Sequence, residues 1–183
     1  MTSVNSEVNP KLVFAKWFAC AVTTVPAIVL CVLYAVFGLP VLKTLAVTFV
    51  VVAFNCDARI LLGWLVPKIA PHVNFERGCF RIKPFEKKIF EVLRVRSWKN
   101  HMPTYLPGAF NPFDRSLAEV RFNMLTAECV HMSCALVSYV PMFLIFVFGC
   151  PVVFIMTSVA GSLIDLMFVT VQRFNRSRLE KII

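Results

Sequence analysis

Charge is what this chain has least of. Asp, Glu, Lys and Arg together make up 16% of the residues, where soluble globular domains carry about 25%. Acidic residues are the scarcer sign, 10 against 19 basic. Too few hydrated side chains remain to cover a water-soluble fold. No Gly-rich cofactor loop is present, so nothing supports a dinucleotide or adenosyl fold of the kind that needs one. The seven cysteines are an odd number and form no Cys-x-x-Cys pair, which argues against a disulfide framework or a structural zinc site. They read as small polarizable core residues. Glu-x-x-His occurs in the hydrophobic region as one copy, Glu128 to His131, whereas a di-iron bundle needs two. There is no internal repeat and no low-complexity tract.

What fills the chain instead is apolar. Hydrophobic residues reach 58% and the mean hydropathy is +0.75. A membrane-crossing helix needs roughly 20 mainly apolar residues, and four segments satisfy this, at about 12–37, 44–66, 122–148 and 152–171. Gly38-Leu39-Pro40 and Gly149-Cys150-Pro151 are turn signals between consecutive segments. Pro67 is expected to end the second span, and Pro26 and Pro141 to kink the first and third. The run from Val13 to Leu39 is too long for a signal-peptide core, so it reads as a retained helix. The expected fold is all-α: one membrane domain over 1–183, an integral bundle of four transmembrane helices.

The net charge of +9 is not spread evenly. Basic residues crowd into the loop 68–119, the tail after residue 171 and the flank holding Lys11 and Lys16, while the other two turns are nearly uncharged. That pattern speaks against nucleic acid and for orientation at a membrane. By the positive-inside rule, both termini and the large loop face the cytoplasm of a multi-pass cell-membrane protein. Within the loop, Phe85, Ile89, Val92 and Leu93 share a helical face behind Pro84. The spacing predicts a short amphipathic helix, lying in the membrane interface or packed on the end of the bundle.

Ionisable groups inside a bilayer are costly, so those present are functional candidates. They are Asp57 and Arg59 beside Asn55 in the second span, Glu128 and His131 in the third, and Asp165 in the fourth. At 1.5 Å per residue, Glu128, Asp165 and Asp57 lie roughly 10–14 Å from the cytoplasmic ends of their helices. Three helices thus bring polar groups to one level, as a pocket or as a buried network. Glu128 and His131 are three apart and share a face. A carboxylate beside an imidazole favours the imidazolium and orients the ring, which suits a general base acting on an alcohol. The structural alternative bonds Glu128 to Arg173 or Arg176. After the last span, Gln172, Arg173, Asn175, Arg176 and Arg178 form a motif richer than a plain anchor requires, since arginine forks match phosphate and carboxylate oxygens. His72 and His101 read as solvated surface residues.

Three stretches together carry a resemblance: Val95-Arg96-Ser97-Trp98-Lys99-Asn100 after the loop helix, Ala127-Glu128-Cys129-Val130-His131, and Val171-Gln172-Arg173-Phe174-Asn175-Arg176-Ser177-Arg178-Leu179. In this order they resemble the bacterial membrane acyltransferases typified by glycosyl-4,4'-diaponeurosporenoate acyltransferase, from about Phe85 to the C-terminus. The resemblance implies transfer of a fatty acyl group from an acyl thioester to a hydroxyl of a glycolipid or lipid-linked sugar. The donor would be acyl-CoA or acyl carrier protein, with no tightly bound cofactor and no metal. Membrane lipids and the two substrates are the expected partners, and a homo-oligomer is compatible with the pattern. His131 would take the hydroxyl proton and Glu128 would orient it. Arg173 and Arg176 would hold a donor phosphate or polarise the carbonyl, with Gln172 and Asn175 hydrogen-bonding. Trp98 and Lys99 would shape the mouth, and Arg178 would join the substrate-binding set. The competing readings are a lipid-binding or assembly subunit without catalysis and a small membrane methyltransferase.

Overall fold

The computed structural model describes residues 8–182, and every regular element among them is helical. Four of these stretches are long and apolar enough to cross a membrane: Pro10–Phe37, Pro40–His72, Leu117–Phe148 and Pro151–Leu179. The chain is a multi-pass membrane bundle.

Helix α1 (Pro10–Phe37) starts behind Asn9, whose side chain accepts from the Lys11 N–H, and runs on through Pro26. It stops at Gly38, at φ 63°, whose N–H donates to the Tyr34 carbonyl. Glycine takes this left-handed cap without the Cβ clash other residues meet. Pro40 then opens α2 (Pro40–Ile69). Pro67 does not end α2, contrary to expectation. In the last turn it forfeits only its own N–H bond, and the chain continues into a 3₁₀ turn at Ala70–His72.

The 73–116 segment holds more than the one short helix expected of it. It carries α3 (Pro84–Val92), α4 (Val95–Trp98) and 3₁₀ turns at Lys99–His101 and Pro107–Phe110. Helix α3 turns Glu86 and Phe90 inward, not its apolar stripe. Phe90 meets Phe174 edge-on at 5.7 Å. Phe85, Ile89, Val92 and Leu93 are left exposed, the arrangement of a helix set in a membrane interface.

Helix α5 begins earlier than its apolar run, at Leu117, because Ser116 and Glu119 form a reciprocal capping box. It ends at Val137. The third span was expected to be continuous to residue 148, but it breaks here into a 3₁₀ turn (Val140–Leu144) and a short α6 (Ile145–Phe148). Pro141 is the cause, since it supplies no N–H to the preceding turn. Gly149 and Cys150, both at positive φ, make the tight turn into α7 (Pro151–Leu179). This helix extends two turns past its apolar stretch, so the basic motif is helical.

Helix α1 packs on α2, α2 also meets α5 and α7, and α5 and α7 form an antiparallel hairpin. The start of α1, the 73–116 segment and the end of α7 sit at one end of the bundle. The Asn9 N–H donates to the Tyr105 carbonyl there at 3.0 Å, and Arg121 on α5 lies 3.8 Å from Glu180. The outward faces are apolar: Phe14, Trp17, Val36, Phe146 and Val152 are all exposed. Buried positions include Asn55, Glu128, Ser138, Ser158, Ser162, Asp165 and Arg176. Polar inside and apolar outside is the pattern of helices packed in lipid, where the surroundings are as greasy as any core.

Candidate functional site

Two polar clusters are stacked along the α5–α7 seam. The deeper one joins three helices. Arg59, on α2, donates through Nη2 to Asp165 Oδ2 at 2.6 Å and to the Gly161 carbonyl at 2.9 Å. Its Nη1 donates to the Asn55 carbonyl at 2.7 Å. The other Asp165 oxygen lies 3.0 Å from His131 Nδ1. Asp165 is 2% exposed, while the His131 side chain retains 27%. The His131 ring stacks on Phe168 with centroids 4.5 Å apart and planes 8° from parallel.

A carboxylate already paired with arginine accepts hydrogen bonds, so His131 Nδ1 is the donor in this contact. The carboxylate and the Phe168 ring together fix the orientation of the imidazole. Asp165, not Glu128, is thus the carboxylate that meets His131.

Gly161 is what lets the helices come this close. A Cβ there would stand 3.1 Å from Arg59 Nη2, 3.2 Å from Ser138 Oγ and 3.3 Å from Asn55 Oδ1. Gly161→Ala is expected to push Arg59 off Asp165 and cost about 1–3 kcal/mol, the usual effect of overpacking. A lowered thermal midpoint in detergent checks this. An unchanged midpoint would mean the arginine yields freely.

The second cluster lies toward the loop end and takes up Glu128. Arg173 donates from Nε and Nη2 to both Glu86 oxygens, at 2.7 and 2.8 Å, and from Nη1 to Glu128 Oε1. Arg176, 1% exposed, donates to Glu128 Oε2 at 2.9 Å and to Glu180 Oε1 at 3.0 Å. Burial by itself raises the Glu86 carboxyl. The Arg173 hydrogen bonds, the Lys83 amide and the charges of Arg173 and Arg176 outweigh it and hold Glu86 below the usual carboxylate range. Both arginines expected to hold substrate are therefore committed to carboxylates of the chain itself. Glu86 was not among the expected site residues. Its signal was its place at the third position of α3, where a glutamate can reach back to the N-cap amide, here the Lys83 N–H at 3.2 Å.

The remaining candidates lie around these clusters. Asn175 Oδ1 accepts from Lys99 Nζ at 2.8 Å. Trp98 packs beside Val95, Val171 and Phe174, with its indole N–H donating to the Leu93 carbonyl at 2.9 Å. Gln172 has a buried Oε1 without a partner and lies seven residues, about two turns, beyond Asp165 on the same stripe of α7. Arg178, His72 and His101 are exposed. Asp57 faces away from the clusters and helps line an open groove of about 400 Å³ between α1 and α2, with Ala27, Ile28, Val32 and Phe54. Among the described residues, no group of three His, Cys, Asp or Glu side chains is placed to hold a metal ion.

The fold and the seam thus define a multi-pass membrane protein with a polar interior at one end of the bundle. The chain belongs to the glycosyl-4,4'-diaponeurosporenoate acyltransferase family, whose model matches residues 76–183. No curated protein and no solved structure matches it. Family membership implies acyltransferase activity. The match contains Glu86, Trp98, Lys99, Glu128, His131, Asp165 and the 172–178 motif, and it leaves out Asn55 and Arg59 on α2.

Proposed function

We propose that the protein is a membrane O-acyltransferase that moves a fatty acyl group from an acyl thioester to a hydroxyl of a glycolipid or lipid-linked sugar. The observation that carries this reading is His131, held at Nδ1 by Asp165 and open at Nε2. The acceptor hydroxyl gives its proton to Nε2 as its oxygen attacks the thioester carbonyl. The tetrahedral intermediate collapses, the C–S bond breaks, and the departing thiolate takes the proton back from the imidazolium. Asp165 and Arg59 position the ring and compensate the charge it carries between the two transfers. The free Gln172 oxygen is available to a sugar hydroxyl. The α1–α2 groove has room for an acyl chain. A protein that only grips headgroups through Arg173 and Arg176 is the weaker reading, because both are already neutralised.

The basic end of the bundle faces the cytoplasm of the cell membrane on the positive-inside rule. Protease added to intact cells is then expected to leave the 73–116 segment whole, and cutting there would reverse the topology.

Lipid mass spectrometry tests the activity. Membranes are compared from cells that supply a glycosylated lipid acceptor and express either the wild-type chain or His131→Ala. A glycolipid heavier by one fatty acyl group with wild type alone supports the proposal. The same lipids from both, with both proteins inserted and folded, would sink it.

A further inference from the structure

Some of the basic residues at the loop end are spent in ion pairs and others are not. Arg173, Arg176 and Arg121 are interleaved with Glu86, Glu128, Glu180 and Glu76. That network has no charge to spare for a ligand. Arg96, Lys99 and Arg178 are different. Among the described residues none of the three is in an ion pair, and Lys99 alone has a side-chain partner, the neutral Asn175 oxygen at 2.8 Å.

They are also brought to one side of the bundle, by the packing of α4 on α7. Lys99 Nζ lies 5.4 Å over the Phe174 ring while bonding to Asn175. Arg178 lies four residues beyond Phe174 and three beyond Asn175 and so shares that face of α7. Arg96 stands one turn before Lys99. Burial first, then the charges of Arg178 and Arg96, press the Lys99 ammonium below its ordinary value, as expected of three cations with no anion between them. The backbone beneath them is held firmly: Val95 is fully buried against Phe90 and Val171. Like charges set side by side on a pinned surface repel one another, so the arrangement gains most when an anion fills it.

We infer that Arg96, Lys99 and Arg178 form a phosphate-ester site where α4 packs on the end of α7, with Asn175 orienting Lys99 and Trp98 flooring the loop. Its ligand is the phosphate of a nucleotide-bearing acyl donor or of a lipid headgroup. The donor source rests on the acyltransferase reading; the phosphate chemistry does not.

The test measures binding without turnover, using the full chain in two arms. In detergent, calorimetry with adenosine 3′,5′-diphosphate probes the nucleotide source. In nanodiscs, binding of phosphatidic acid in a phosphatidylcholine background probes the headgroup source. Arg178→Gln and Arg96→Gln are each expected to weaken one of the two ligands by about tenfold, the scale of one charge-assisted hydrogen bond. Arg178→Lys is expected to recover part of the loss. Both arginines are exposed, so the variants should fold. Lys88→Gln, an exposed charge outside the trio, is the control. Failure of both probes to bind, or an equal loss in Lys88→Gln, overturns the site. Trio-dependent binding by a protein that transfers no acyl group would keep the site and discard the proposed activity.

Discussion

His131→Ala should lower acyl transfer by about 10²–10⁴-fold, the range a positioned general base contributes, while the protein still folds. The ring is partly exposed, and its loss removes one hydrogen bond and one stacking contact. Asp165→Asn should come close to the same loss by another route. An asparagine can turn its amide toward His131 and stabilise the wrong tautomer, so kcat falls while KM for the acceptor holds. Glu128→Gln distinguishes this assignment from the one the Glu-x-x-His spacing suggests. Glu128 bonds to Arg173 and Arg176, so its neutral variant should lose stability before it loses chemistry. A stable Glu128→Gln protein with kcat reduced as far as in His131→Ala would return the orienting role to Glu128.

Arg173→Ala carries the largest expected cost in stability. The Arg173 side chain is 13% exposed and joins Glu86 at 10% and Glu128 at 4%. Removing it leaves two buried carboxylates, one with no remaining arginine. Breaking a buried pair by deleting one partner costs about 3–5 kcal/mol. It also unfastens α3 from α7, because Glu86 is the polar half of that contact. Thermal unfolding in detergent should show a large drop, and limited proteolysis should cut the 73–116 segment faster. An unchanged midpoint and cutting pattern would refute the account. The same bond makes the wild-type loop acid-sensitive. Glu86 has a lowered value when folded, so its contribution is complete above the ordinary 4.5 and is lost as pH falls from there through the folded value. Loop cleavage should rise over that interval.

Much of this was legible without coordinates. Four apolar runs of membrane length, with turns at Gly38 and Gly149, specify four helices, because backbone groups in lipid have no partner but their own helix. Counting residues along those helices put Glu128, Asp165 and Asp57 at one level, but Glu128 belongs to the loop-end cluster, Asp165 to the deeper one and Asp57 to the α1–α2 groove. The Pro141 break was only half legible: a proline marks where a helix can fail, but packing decides whether it bends or stops. The amphipathic stripe of α3 was read correctly as a face, yet the stripe is exposed and Glu86 is the residue that docks.

Pairing was legible only in part: Glu128 does bond to Arg173 and Arg176, as its structural alternative had it, but nothing in the sequence put Asp165 on His131. Glu128 and His131 share a helix face, but side chains lean toward the N-terminus of their own helix. On antiparallel α5 and α7, Glu128 leans toward the loop end while Arg173 and Arg176 lean inward to meet it, and His131 is left for Asp165. Sequence alone determined which polar groups sit within the apolar helices, since hydropathy is a local quantity. Tertiary structure alone decided which charge meets which, because that depends on the register and rotation of neighbouring helices. It thereby separated the arginines that hold the fold together from the cations that have no acidic partner among the described residues.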